Sequence, residues 1–199
     1  PQAGDAAVTR IEGPRRQDIK RNHTATHLLH YALEHVLGTH ARQAGSLVAP
    51  DRLRFDFTHP EALTPDELNQ IEAEVNRRIM EDHELHIQHK PLQQAIDEGA
   101  RALFGEKYGE TVRNITIGDD EGDNPFSNEL CGGTHCHSTG EIGLFLIVSE
   151  GSAAAGIRRI EAVTGREAYK LVQRRFHVLN QTAAALSSTP DQVFEKTKQ

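Results

Sequence analysis

The chain has 199 residues, 37% hydrophobic and 26% charged, which supplies one good core and excludes a disordered tail. Its net charge of −7 argues against the broad basic face of a sequence-independent nucleic-acid binder. Two cysteines, no tryptophan and 5% aromatics argue against a disulfide framework and against an aromatic stacking platform.

Taken in chain order, Pro1 to Lys20 is polar and reads as a tail or the end of a preceding domain, not a signal peptide. Met is absent from position 1, so a piece of a longer protein is expected. Asn22 is the expected N-cap of a first helix. Ala25, Leu28, Leu29, Ala32, Leu33, Val36 and Leu37 give it an apolar face, and Gly38 ends it. Leu53 to Phe57 alternates as a strand. Thr64-Pro65-Asp66-Glu67 predicts a capping box, with Leu68, Ile71, Val75 and Ile79 facing inward behind it.

Pro91 to Phe104 reads as a further helix and Val112 to Ile117 as a strand. The acidic stretch Asp119 to Asn128 is expected to be an exposed loop. Glu141 to Ser149 and Ile157 to Val163 read as strands joined by the small-residue link Gly151 to Gly156, and a long helix follows Gly165. The expected class is α+β: an antiparallel sheet with helices packed on it. No run approaches the roughly 20 apolar residues of a membrane span, so no membrane partner is expected.

Histidine is unusually frequent, at 12 residues. His23 and His27 stand four apart on the first predicted helix and share a face, so both can reach one ion. Such a pair also decorates exposed helix faces. The residues between them, Thr-Ala-Thr, lack the glutamate of the HExxH metalloproteases. Cys131-Gly132-Gly133-Thr134-His135 places a second pair four apart across two glycines, which permit a tight turn. The four side chains make a His3Cys set, a chemistry Zn²⁺ prefers. Cys136 and His137 are expected to be bystanders.

Six ordered blocks carry a resemblance. They are Arg21 to His30, Gln43 to Val48, Leu53 to Phe57, Leu103 to Gly109, Glu129 to His135, and Ala154 to Glu161. Together they resemble the editing domain of alanyl-tRNA synthetases over about residues 20 to 168. The resemblance implies hydrolysis of the ester in tRNA(Ala) mischarged with serine or glycine. Its partner would be the 3′ end of that tRNA. The full-length parent would ligate alanine to tRNA(Ala) using ATP in the cytoplasm, with an aminoacylation domain upstream and a C-terminal domain downstream. This segment alone is not expected to charge tRNA.

The resemblance divides the chain into a tail at 1–20, an editing domain at 21–165 and a helical linker at 166–199. It implies a two-part zinc site between a helix and a Gly-rich loop, with His23, His27, Cys131 and His135 as ligands. Of these, His135 would be the weakest, or would hold the attacking water instead. Thr26 and Gln43 would line the substrate pocket, and Gly132 and Gly133 would let the backbone approach the substrate. Arg158 and Arg159 are candidates for contact with tRNA phosphate. Two other readings stay open. One is a seryl-tRNA(Thr) editing domain, although that family typically carries Arg-Gly-Pro where this chain has Gly-Gly-Thr. The other is a non-catalytic, zinc-stabilised RNA-binding module.

Overall fold

The computed structural model describes residues 6, 8–102, 107–118 and 125–198. Helix α1 (Gly13–Leu37) crosses a four-stranded antiparallel sheet built from β1 (Gln43–Val48), β2 (Leu53–Thr58), β6 (Phe145–Ala154) and β7 (Ile157–Thr164). The strand order is β1-β2-β7-β6. A second antiparallel sheet has the order β3-β4-β5, from β3 (Leu85–Pro91), β4 (Thr111–Ile117) and β5 (Ser127–Leu130). Helix α2 (Pro65–Met80) packs beside α1. The short α3 (Leu92–Asp97) follows β3, and α4 (Gly165–Ala185) leads to a last turn, α5 (Val193–Lys196). The chain is α+β, with two antiparallel sheets where the sequence predicts one.

One core joins these layers. It contains Leu28, Leu29 and Leu33 of α1, Ile71 and Val75 of α2, Phe55 and Phe57 of β2, Ile160 of β7, and Ile115 and Ile117 of β4. Each large apolar side chain buried there contributes about 1.5–3 kcal/mol. The core thereby fixes α1, which carries two predicted ligands, against the sheet whose last strand precedes the other two.

Several expectations need correction. Residues 13–20 are helical, so α1 begins nine positions before Asn22. Asn22 is not a cap: its Nδ2 donates to Ala49 O at 2.7 Å, and its Oδ1 accepts from Thr164 Oγ1 at 2.7 Å. Its side chain ties α1 to the turn after the edge strand β1 and to the end of the inner strand β7 rather than folding back on its own helix.

The helix predicted over 91–104 stops at Asp97, because Gly99 turns the chain with φ +83°. Arg101 then bridges to Glu129 beside β5. Leu103 and Phe104 lie outside the described residues, as do 119–124 of the predicted acidic loop. Ser127 and Asn128, assigned to that loop from sequence, pair with Ile117 and Thr116 as strand β5. The predicted link 151–156 is mostly strand, since β6 runs to Ala154 and only Ala155 and Gly156 turn.

Candidate metal centre

The two halves of the predicted ligand set meet where α1 passes the turn after β5. One ligand atom each from His23, His27, Cys131 and His135 lies within 4.8 Å of all the others, and this group can hold a metal ion. Cys131 Sγ is 3.4 Å from His23 Nε2 and 3.4 Å from His135 Nε2. His27 and His135 are buried, while His23 and Cys131 are half-buried. Cys136 and His137 stay outside the group, with Cys136 buried in the core.

The site tests well against a bound cation. His27 Nδ1 is held at 2.7 Å by Glu129 Oε2, and among the described residues its buried Nε2 has no hydrogen-bond partner. A buried imidazole nitrogen left alone is costly, and a metal ion would satisfy it. The carboxylate–imidazole arrangement is the one that orients metal-binding histidines. Burial alone would raise the Cys131 thiol, but contacts with His135, His23 and His27 bring it down to about 3. Burial lowers the His135 imidazole to about 4. A thiolate and a neutral imidazole are the forms that bind zinc. By contrast, burial pushes the Cys136 thiol up to about 11, leaving it protonated.

At His27, burial works downward. The Glu129 carboxylate and the neighbouring Cys131 sulfur outweigh it and raise the imidazole. Glu129 in turn is buried, yet the facing His27 and His30 hold it well below the usual carboxylate range.

The ligand turn is shaped by its neighbours. A Cβ at Gly133 would lie 1.8 Å from His23 Cε1, so only glycine lets the turn close on α1. At Gly132 a Cβ would meet nothing within 4 Å, leaving the backbone open on that side. Arg113 of β4 donates through Nη1 to Cys131 O at 2.8 Å and to Gly133 O at 2.7 Å, clasping the turn. Thr24 Oγ1 accepts from Cys136 N at 3.1 Å and lies 3.4 Å from His135 Nδ1.

Sequence reasoning missed these supporting residues: Glu129, His30, Arg113 and Thr24. His30 stood three positions after His27 on the same helical face, which was the one signal available for it. Its Nδ1 lies 2.9 Å from Glu129 Oε1.

The other nominated residues are placed differently. Thr26 is buried, and its Oγ1 donates to Asn22 O at 2.8 Å, the ordinary bond of a helical threonine. Gln43 lies at the start of β1 and donates to Ser46 Oγ at 3.1 Å. It lines a separate cavity of about 450 Å³ together with His30, Glu34, Arg101 and Glu129. Gln43 therefore shares this cavity with Glu129, the residue that holds His27, and is not one of the four donors. Arg158 and Arg159 are both neutralised. Arg158 Nη2 donates to Glu150 at 2.8 Å, and Arg159 grips Asp56 with two bonds of 2.7 and 2.8 Å.

Residues 112–161 match the family described as the threonyl and alanyl tRNA synthetase second additional domain. That stretch contains all but the first residue of β4, together with β5 and the Cys131–His135 turn. Nearly the whole chain is also similar to alanine–tRNA ligases. It is 56% identical to the enzyme of Thermus thermophilus over 90% of this chain and 20% of that protein. It is 52% identical to that of Geobacillus thermodenitrificans (94% and 21%) and 50% identical to that of Halorhodospira halophila (98% and 22%). The chain belongs to the alanyl-tRNA synthetase family, as a segment that includes the editing-associated additional domain. It spans about a fifth of the length of the curated relatives it matches. Among the described residues no helix is long and apolar enough to cross a membrane.

Proposed function

We propose that this domain hydrolyses the ester of tRNA(Ala) mischarged with serine or glycine, in a site that binds zinc through His23, His27, Cys131 and His135. The observation that carries the reading is the meeting of these four donors within 4.8 Å, in a chain related to alanine–tRNA ligases. When bound, zinc supplies Lewis acidity that polarises an ester carbonyl. Glu129 engages His27 through Nδ1, so that Nε2 would be the nitrogen left to hold the ion. Arg113 and Gly133 keep Cys131 and His135 in register with α1. The open backbone at Gly132 leaves room for the substrate.

Such a domain answers a limit of selection by size. A synthetic pocket sized for alanine cannot exclude smaller glycine and discriminates weakly against the added hydroxyl of serine. A second site that pairs with that hydroxyl reverses the preference, since alanine leaves its partners unpaired at about 1–3 kcal/mol each. Thr26 is proposed as one such partner. Its hydrogen is committed to Asn22 O, which leaves its oxygen lone pairs as acceptors. Gln43 is proposed as the other, through the amide oxygen that its contact with Ser46 leaves available. In this reading residues 21–165 carry the editing activity and 166–199 link onward, within a cytoplasmic synthetase whose other domains charge the tRNA.

The test is deacylation of seryl-tRNA(Ala), alanyl-tRNA(Ala) and seryl-tRNA(Thr) by the zinc-loaded domain. Serine is expected to leave tRNA(Ala) rapidly, alanine slowly, and Cys131→Ala to abolish the reaction. Preference for seryl-tRNA(Thr) would transfer the domain to threonyl editing. Failure with all three, together with unfolding on chelation, would make it a zinc-stabilised binding module.

A further inference from the structure

The two arginines nominated from sequence for phosphate contact are each held by a carboxylate. A guanidinium already paired in this way has little positive potential left for a phosphate. The cations that keep theirs stand elsewhere, beside the ligand turn. A cleft of about 270 Å³ opens there, lined by Lys107, Thr111, Arg113, Leu130, Cys131 and Gly132. Among the described residues no carboxylate lines it. Arg113 is half-buried, and among the described residues its side-chain bonds go to the carbonyls of Cys131 and Gly133. Among the described residues neither Lys107 nor Arg113 has an acidic partner.

A half-buried guanidinium bonded only to neutral carbonyls keeps its full charge, and one of its two terminal nitrogens remains available for an anion. Lys107 adds a second, mobile charge at the rim. Cys131 is the one anionic group at the inner end, and the cation bound by the four donors would neutralise it. Such a cleft is small for a drug-sized ligand. Its dimensions suit the sugar–phosphate part of a nucleotide, and the bare backbone at Gly132 permits close approach.

We infer that Lys107 and Arg113 form a phosphate site for the 3′ end of an RNA, holding the last phosphodiester against the metal turn. The identity of the RNA rests on the editing reading above; the anion site itself rests on the cleft. With a net charge of −7 this chain offers no general attraction for nucleic acid, so binding to it would rest on a local cationic site.

The experiment measures binding of a fluorescent single-stranded RNA ending in CCA to the zinc-loaded protein, across a salt series. Lys107→Ala and Arg113→Gln are each expected to weaken binding about tenfold and to lower the salt slope by about 1. Arg175→Gln, on the exposed part of α4, is the control and should change neither. Because Arg113 also clasps the metal turn, zinc content is measured for each variant, and Lys107→Ala reads out the site without touching that turn.

Unchanged affinity and slope in Lys107→Ala and in zinc-replete Arg113→Gln would overturn the inference. So would the absence of RNA binding by the unmodified protein at low salt. Deacylation kinetics separate the two claims. A raised KM with near-normal kcat for seryl-tRNA(Ala) in Lys107→Ala supports both. Deacylation with unchanged KM overturns the phosphate site and leaves editing standing. RNA binding lost in the variants, with no deacylation by the parent, does the reverse.

Discussion

A Cβ at position 133 would overlap the His23 ring, at 1.8 Å from Cε1. Gly133→Ala should therefore push the Cys131–His135 turn away from α1. Zinc affinity is expected to fall at least tenfold while the fold persists, read by chelator competition. Gly132→Ala, which meets no atom, should leave zinc affinity unchanged. Glu129→Ala frees His27 Nδ1 and leaves two buried imidazoles without their shared partner. It should cost about 10–100-fold in zinc affinity, with a matching loss in thermal stability. The four donors were legible because metal ligation imposes a spacing, four residues in each half. Glu129 and Arg113 were not, since a lone Glu before a Cys or an Arg in a strand has no spacing to betray it. Their roles exist only once β4 and β5 lie beside α1.

At the scale of elements, what could be read depended on whether the signal was local. Helix α2 starts where Thr64 caps it, with Thr64 Oγ1 accepting from Glu67 N at 3.2 Å and Glu67 Oε2 accepting from Thr64 N at 2.8 Å. Both halves of this box lie within four residues, so the sequence alone predicts it. Thr64→Ala should destabilise the domain by about 1 kcal/mol, seen as a lower urea midpoint with an unchanged slope. Strands β1 and β3 carried no such signal. Gln43–Val48 is an edge strand of mostly small or polar residues, defined by its pairing with β2. Leu85–Pro91 is mostly polar and exposed, and is held by its pairing with β4. Asn22 looked like a cap because asparagine favours caps; a long-range pair of bonds to Ala49 and Thr164 overrode that preference.

For the whole molecule, the buried charges set a pH dependence. The bond from Arg159 first, and its charge next, hold the Asp56 carboxyl below its ordinary 3.8. Glu129 is likewise held below its ordinary 4.5, because His27 and His30 outweigh burial. Groups depressed in the folded state add stability above their unfolded values, and that stability is lost as pH falls through the folded ones. The metal-free domain should therefore hold its urea midpoint from about pH 7 to about pH 5 and lose it progressively below about pH 4.5. His27 acts in the opposite sense. Its raised imidazole contributes fully below its ordinary 6.5, and the contribution is lost as pH rises through about 10.

The separation of 108 positions between His23 and Cys131 has a consequence for how an ion would enter. Closing a loop of that length costs an unfolded chain roughly 4–5 kcal/mol in entropy. A short zinc finger brings its ligands together with the metal and spends binding energy on folding. Here one apolar core joins α1, β2 and β4, so that closing the loop does not fall to the four donors. An ion held by these donors would accordingly join last, would not be needed to nucleate the chain, and would exchange without dismantling it.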